Sequence, residues 1–164
     1  MKLAPFTEAD ITDEYVSWLN DPLVTRFSNQ RFLTHDRGSC RRYLSSFEGT
    51  TNLFLSMQRQ DDERLIGTMT AYISPHHGTA DLGILIGDRS AWGQGYGSDA
   101  WSTLSEFLLR RPGMRKLTAG TLETNEAMVR LARQCGMELE ARRRGQELVD
   151  GEPVDILYFA RFIG

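Results

Sequence analysis

Residues 90–100, SAWGQGYGSDA, place glycine at three alternate positions, Gly93, Gly95 and Gly97. A buried strand precedes them (ADLGILIGD, residues 80–88), and an amphipathic helix follows. Glycine inside a regular element costs about 0.5–1 kcal/mol relative to alanine, so this loop requires backbone without side chains. The N–H groups at a helix start lack internal partners and lie at the positive end of the helix dipole. The stretch therefore predicts a loop that binds an anion, typically a phosphate group.

The spacing of these glycines differs from that of two common phosphate-binding loops. A P-loop ends in Gly-Lys-Ser/Thr, and residues 90–100 contain no lysine. A dinucleotide-binding loop has Gly-x-Gly-x-x-Gly in the first strand–helix unit, whereas this Gly-x-Gly-x-Gly follows several strands. A tight turn that binds nothing stays open as an alternative.

The hydrophobic pattern predicts a mixed α/β sheet. It gives, in order, a strand, two helices, a three-stranded antiparallel meander, a helix, a strand, a helix and a closing hairpin. The first helix follows a capping box of Thr7 and Asp10 and ends at Pro22, and the second begins near Thr34. The helix after the glycines is expected to bury Phe107. A strand–helix–strand crossover in the middle implies a parallel pair of strands.

Length and composition predict a single soluble domain, residues 1–164, with 40% hydrophobic and 25% charged residues. No apolar run approaches the about 18 residues of a membrane span, and the first residues lack a signal-peptide pattern, so we expect a cytoplasmic protein. The formal net charge of −3 argues against a general nucleic-acid binder. Arg142, Arg143 and Arg144 would alternate between faces of a strand, which predicts a solvated ribbon.

Cysteine and histidine are too sparse to predict a metal site. Cys40 and Cys135 lie far apart, without a Cys or His at metal-ligand spacing, which favours two reduced packing residues. His76 and His77 are adjacent at a loop tip, where their side chains diverge. We therefore expect no bound metal.

The segment WGQGYG (residues 92–97) resembles the pyrophosphate loop of the GNAT acetyltransferases, Gln/Arg-x-x-Gly-x-Gly/Ala. Trp92 departs from the first position, and this departure is frequent in the branch that includes the ribosomal-protein N-terminal acetyltransferases. The resemblance extends to the strand LGILIGD and to LETNEAMVRLARQCGM (residues 122–137), where Asn125, Leu131 and Gly136 match a family helix. With the closing hairpin, it spans nearly the whole chain.

The resemblance implies a mixed sheet of six to seven strands flanked by about four helices. Its central parallel strands, ADLGILIGD and KLTAGTL (residues 116–122), would splay into a V-shaped cleft that binds acetyl-CoA. A bulge in the first of these strands would aim an N–H at the thioester carbonyl. Asn125 would contact pantetheine, cap its helix, or both. The main chain of Leu85 and Ile86 would pair with the pantetheine amides, and the pyrophosphate would lie on the backbone N–H groups of Gln94, Gly95, Gly97 and Ser98. Trp92, Gly93 and Tyr96 of the same loop would complete the cofactor-binding segment.

The resemblance also implies the reaction, in which a primary amine attacks the acetyl group directly in a ternary complex. The amine must first lose a proton, and Asp81 is the first candidate base, with Glu123 second. Relatives protonate the leaving thiolate with a Tyr or use a Ser, but Ala132 and Met128 stand at those positions. Water or Cys135 remains as the proton donor.

The acceptor site of such a fold is built largely by the first two helices, where WLNDP (residues 18–22) offers Trp18 and Asn20 for substrate binding. Trp18 as a core residue and Asn20 as a helix end are the alternatives. WLNDP resembles family members that acetylate nucleotide-linked amino sugars or aminoglycosides, and also the ribosomal-protein N-terminal acetyltransferases; of these acceptors we favour an amino sugar. A peptide or protein N-terminus, a non-catalytic acyl-CoA-binding module and a homodimer stay open.

Overall fold

A computed structural model describes residues 1–163, which form one seven-stranded sheet in the order β1-β2-β3-β4-β5-β7-β6. The strands are β1 (Lys2–Pro5), β2 (Leu53–Gln58), β3 (Leu65–Ser74), β4 (Thr79–Ile86), β5 (Lys116–Leu122), β6 (Glu138–Val149) and β7 (Glu152–Phe162). The α-helices are α1 (Asp13–Leu19), α2 (Pro22–Thr25), α3 (Arg37–Ser45), α4 (Tyr96–Leu109) and α5 (Glu126–Gln134). Within residues 1–163, no helix combines the length and the apolar character needed to cross a membrane.

The predicted V-shaped cleft is present between β4 and β5. These strands are the parallel pair of the sheet, and they pair only at Thr79–Lys116, Ala80–Leu117 and Asp81–Thr118. Beyond Asp81, β4 continues to Ile86 and β5 to Leu122 without pairing to each other. The two strands therefore separate, and one backbone edge of each is available to a ligand.

The helices cover the two faces of the sheet with separate apolar clusters. Trp101 and Leu108 of α4 are fully buried, in the same cluster as Phe159 of β7. On the opposite face, Tyr15 of α1 and Phe54 of β2 belong to a second cluster of buried side chains. Both faces of the central strands are thus covered, as their near-continuous apolar sequence predicts.

Phe107 does not lie in the core, contrary to the sequence prediction. Its side chain is 56% exposed, whereas Trp101 is fully buried. The buried residues of α4 are at positions 97, 100, 101, 104, 105 and 108, and position 107 lies about 20° beyond position 100, at the edge of this stripe, at 100° per residue. Phe107 therefore lies on the solvent side of the stripe's edge, although it belongs to an apolar run of the sequence.

The ends of two N-terminal helices also differ from the prediction. Thr7 and Asp10 do form a capping box, but it caps a short 3₁₀ turn, and α1 begins later, at the N-cap Thr12. Pro22 occupies the first turn of α2 rather than only terminating α1. The helix expected near Thr34 begins after Asp36, whose carboxylate accepts from the Ser39 N–H.

We predict that Gly87→Ala destabilises the fold by about 1–3 kcal/mol, because a side chain there overpacks the core. A Cβ on Gly87 would lie 2.1 Å from the Trp18 ring. Gly38→Ala, in the first turn of α3, is the matched control, since its Cβ would meet nothing closer than 3.2 Å. Urea denaturation measures both variants, and equal unfolding free energies would contradict the prediction.

Candidate active site

The glycine loop leaves a run of backbone donors free at the start of α4. Gly93 and Gly95 have φ of +71° and +83°, in the left-handed region that favours glycine. Gly95 is the N-cap and offers no side-chain cap. Among residues 1–163, no acceptor is bonded to the backbone N–H groups of residues 93–98. These donors and the positive end of α4 form an anion cradle.

Side chains of the loop fix it to the end of β4. The Trp92 Nε1–H donates to the Ile86 carbonyl at 2.9 Å, and the Gln94 amide donates to the Ser90 carbonyl. The Asp88 carboxylate accepts from the Ser90 N–H and Oγ–H at 2.9 and 2.6 Å. The side chain of Gln94 is thus part of the loop scaffold. The group of Gln94 that remains available to an anion is its backbone N–H.

Gly97 lets α4 approach its neighbours closely. A Cβ at this position would lie 3.1 Å from Leu131 of α5 and 3.2 Å from Ile86 of β4. The third glycine is therefore required for packing, whereas Gly93 and Gly95 are required for backbone conformation.

The cleft beyond the loop has a volume of about 580 Å³. Its walls come from the separated parts of β4 and β5, from α2 and from α5, and they include Leu82, Ile84, Ile86 and Leu131. Arg26 is the only charged residue among the described residues that line it. An apolar channel that begins at an anion cradle suits an elongated ligand with a phosphate end.

The phase of β4 determines which main-chain groups face this cleft. The Gly87 N–H bonds the Ile66 carbonyl at 3.0 Å, so alternate residues of β4 bond β3. Leu85 is one of them, because its carbonyl oxygen points toward β3. A Cβ added to Gly67 of β3 would lie only 2.2 Å from this oxygen. The main chain of Ile84 and Ile86 therefore faces the cleft, whereas that of Leu85, which was predicted to face it, bonds β3.

No bulge interrupts β4 itself, but directly after it the Gly87 and Asp88 N–H groups both donate to the Ile66 carbonyl, at 3.0 and 3.1 Å, which is a bulge-like pattern at the end of the predicted strand 80–88. The pairing of β4 with β3 runs in unbroken register from Ser74–Thr79 to Gly67–Ile86. No bulge is needed to direct an N–H into the cleft, because the alternation of a regular strand already directs that of Ile84 there.

Asn125 both caps α5 and lines the cleft. Its side-chain oxygen accepts from the Met128 N–H at 3.3 Å. Met128 also lines the cleft, whereas Ala132 is fully buried in the core. The Cys135 thiol lies 3.6 Å from Ser102 Oγ, outside the cleft lining. No side chain of α5 among these positions offers an acidic proton to the cleft.

A second pocket, of about 460 Å³, lies across β4 from the cleft. The two cavities share Ser28, Gly83, Ile84 and Leu85, so β4 and the loop after α2 separate them. Among residues 1–163, no Asp, Glu, Lys or Arg lines this pocket. The polar side chains in its wall are mainly hydroxyls, from Tyr15, Ser28, Ser39, Tyr43, Thr68 and Thr70.

The phenol and thiol side chains of this second pocket stay neutral at pH 7. Burial raises the pKa of the Tyr15 and Tyr43 phenols above their ordinary values, and it raises the pKa of the Cys40 thiol. The Tyr43 and Tyr72 hydroxyls bond each other at 2.7 Å. The pocket therefore presents hydrogen-bonding groups and aromatic rings without fixed charge.

The two carboxylates predicted as bases lie apart from both cavities. Asp81 is located where β4 and β5 still pair, and its Oδ1 accepts from the Thr118 hydroxyl at 2.6 Å. Desolvation raises the pKa of the Asp81 carboxyl, which favours basicity, but its side chain lines neither cavity. Glu123 accepts from Arg142 at 3.0 Å, which ties it to the β6–β7 hairpin.

The residues predicted for substrate binding have other surroundings. Trp18 is buried at 7% exposure and packs against Gly87, so the core alternative describes its position. Asn20 follows α1 and holds the segment before α3: its amide oxygen accepts from the His35 N–H and its amide nitrogen donates to the His35 carbonyl, both at 2.8 Å.

Three residues of the second pocket were not singled out from the sequence for the site. Ser28 and His35 lie in irregular segments, and only the tertiary structure places them beside β4. Tyr43, on α3, is 39% exposed and lines the pocket. Because Ser28 and His35 belong to no periodic pattern, the sequence does not predict where in the fold they lie.

Comparisons with known proteins agree with this geometry. Residues 1–138 match the family model described as an acetyltransferase (GNAT) domain. A search of curated protein sequences finds no significant match.

Among solved structures, a ribosomal L7/L12 alpha-N-protein acetyltransferase in complex with coenzyme A is 19% identical, with a TM-score of 0.86, over 98% of this chain and 93% of that chain. A ribosomal-protein-alanine N-acetyltransferase from Brucella melitensis is 18% identical, with a TM-score of 0.83, and the match covers 99% of this chain and 100% of that chain. A spermidine N-acetyltransferase from Vibrio cholerae, in complex with CoA and spermine, is 13% identical, with a TM-score of 0.86, and the match covers 98% of this chain and 94% of that chain.

At these identities the structures show a shared fold, and the family model establishes membership. The chain belongs to the GNAT acetyltransferase family and is an N-acetyltransferase that uses acetyl-CoA.

Proposed function

We propose that this enzyme acetylates a small hydroxylated primary amine of the amino-sugar class. The observation that carries the proposal is the second pocket, which has about 460 Å³, hydroxyl and aromatic walls and, among residues 1–163, no Asp, Glu, Lys or Arg in its lining. Hydroxyl side chains match the hydroxyls of a sugar, and rings such as Phe54 offer an apolar surface to its C–H face.

The lack of carboxylates argues against a polyamine. Each extra ammonium group of a polycation would enter the pocket without a counter-charge, and burying an unpaired charge is costly. A sugar with one amine brings only the charge that the reaction itself removes. The same reasoning favours a monoamine sugar over a polycationic aminoglycoside.

The cleft on the other side of β4 fits acetyl-CoA. The free N–H groups of residues 93–98 would hold its pyrophosphate, and the apolar channel past Ile86 would hold pantetheine. When bound, acetyl-CoA supplies the acetyl group as a reactive thioester. The Ile84 N–H faces the cleft where the two cavities meet and would stabilise the developing oxyanion, an effect on the order of 3 kcal/mol for one donor.

A peptide N-terminus is the second candidate, because a groove of about 940 Å³ adjoins the pocket and shares Leu19, Gln30 and Leu33 with it. Phe32 in the groove is 70% exposed and offers an apolar contact for a residue beyond the amine. A peptide would place its N-terminus in the pocket and its following residues along this groove.

We predict that Gly95→Ala weakens acetyl-CoA binding by about 10–100-fold, the loss of a charge-assisted hydrogen bond of about 1.5–3 kcal/mol. The substitution strains the backbone and disturbs the anion cradle. Gly113→Ala is the matched control, because Gly113 has the same φ of +83° and equally open surroundings but lies in the turn before β5.

Isothermal titration with acetyl-CoA and a thermal melt of each protein compare the two variants. The melting temperatures should fall to a similar extent, and only Gly95→Ala should lose affinity. Equal affinity in both variants would show that the loop does not hold the pyrophosphate.

We predict that glucosamine has a kcat/KM at least about tenfold above that of spermidine, because the extra ammonium groups of spermidine would enter the pocket without a counter-charge. A tenfold ratio corresponds to a difference of about 1.4 kcal/mol in activation free energy. Thiol release from acetyl-CoA is measured with glucosamine, spermidine, an aminoglycoside and an N-terminal tripeptide, and N-acetylglucosamine is the control without a free amine. A preference for spermidine would contradict the argument from the neutral pocket. A preference for the tripeptide would select the second candidate.

A further inference from the structure

We propose that His35 is the catalytic base of this acetyl transfer, the side chain that removes the proton from the acceptor ammonium. The inference rests on the proposed function, because it places the amine in the second pocket. His35 lies in the irregular segment before α3 and lines that pocket.

The unpartnered Nε2 of His35 is the first observation. This atom is buried, and it makes no hydrogen bond to any of residues 1–163. A buried polar atom without a partner costs about 1–3 kcal/mol, and a ligand nitrogen in the pocket would supply the partner. Its sequence neighbours are engaged elsewhere: Asp36 caps α3, and Arg37 bonds Asp13 at 2.8 Å and the Ile11 carbonyl at 2.6 Å.

The backbone of His35 is fixed by Asn20. The Asn20 amide makes two 2.8 Å hydrogen bonds to the His35 main chain: its oxygen accepts from the N–H and its nitrogen donates to the carbonyl. Asn20 Nδ2 also donates to the Val16 carbonyl of α1 at 3.2 Å, which ties this segment to the helix. An imidazole on such an anchored segment keeps its place at the pocket wall without regular secondary structure of its own. Asn20 is thus a positioning residue.

No other group that faces the pocket can accept a proton at neutral pH. From α1 comes Tyr15 and from α3 come Cys40 and Tyr43, and burial raises the pKa of all three, so they remain protonated. β2, β3 and β4 contribute Phe54, Thr68, Thr70, Gly83, Ile84 and Leu85, and the loop after α2 contributes Ser28, Gln30 and Leu33, none of them basic.

The side chain that gains and loses a proton between about pH 5 and 8 is imidazole. The neutral ring would take a proton from the ammonium, and the freed nitrogen lone pair would form the N–C bond to the acetyl carbon. The C–S bond would break with its electron pair on sulfur, and the second nitrogen proton would leave with the thiolate as thiol. The imidazolium would then return its proton to water, so the reaction releases one proton overall.

We predict that His35→Gln lowers kcat by about 100-fold, since general base catalysis contributes about 10²–10⁴-fold. The KM for acetyl-CoA and the rise in melting temperature with acetyl-CoA should stay as in the wild type. The acidic limb of the kcat/KM profile, where activity rises as the imidazole loses its proton, should disappear in this variant. The acceptor is the best amine of the panel above.

Three further variants separate the base from a structural role. His76→Gln changes an exposed histidine of the β3–β4 turn and should have no effect. Asn20→Ala should lower kcat and keep the acidic limb, because it loosens the segment and retains the imidazole. Asp81→Asn, at the carboxylate predicted from the sequence, should also keep that limb.

Unchanged kcat in His35→Gln, or a lower kcat with the acidic limb retained, would overturn the assignment. Loss of the limb in Asp81→Asn alone would make Asp81 the base instead. A wild-type enzyme that binds acetyl-CoA but acetylates no amine in the panel would overturn the proposed function, and the role of His35 with it.

Discussion

Three residues of parallel pairing between β4 and β5, followed by separation, are the constraint on which this site depends. A central strand that loses its neighbour has unsatisfied backbone groups, and burial of such groups without a partner is costly. Here alternate residues of β4 remain bonded to β3, while the main chain of Ile84 and Ile86 faces the gap. A ligand with amide groups of its own can complete the sheet. The glycine loop at the end of the same strand provides the donors for its anionic end.

The same strand divides two cavities of opposite character. On one side, unpaired N–H groups and a helix dipole favour an anion. On the other, buried phenols and hydroxyls form a pocket without fixed charge. Both cavities have Gly83, Ile84 and Leu85 in their walls. Under the proposed function, the amine in one cavity would attack the thioester in the other beside these shared residues, and the polarity of the second cavity would select the acceptor.

The chemistry of the neutral pocket also limits how a proton leaves the amine. Carboxylates that sequence reasoning favoured are held by other partners, Asp81 by Thr118 and Glu123 by Arg142. Within residues 1–163, His35 Nε2 makes no hydrogen bond, and Asn20 anchors the His35 backbone. Under the proposal for His35, Asn20 would act on the substrate indirectly, through its hydrogen bonds to the His35 main chain.

The sequence by itself determined the element order, the parallel strand pair and the glycine loop. Each of these depends on local patterns: strand alternation, helix periodicity, and glycines at positions where φ is positive. The splay of the parallel pair was implied by the resemblance to the GNAT family. Only the tertiary structure decided which main chain of β4 faces the cleft, because the phase of a strand depends on its hydrogen bonds to β3. It also decided that Trp18 packs against Gly87 and that Ser28 and His35 join the pocket. Those contacts link segments far apart in sequence, and no local pattern encodes them.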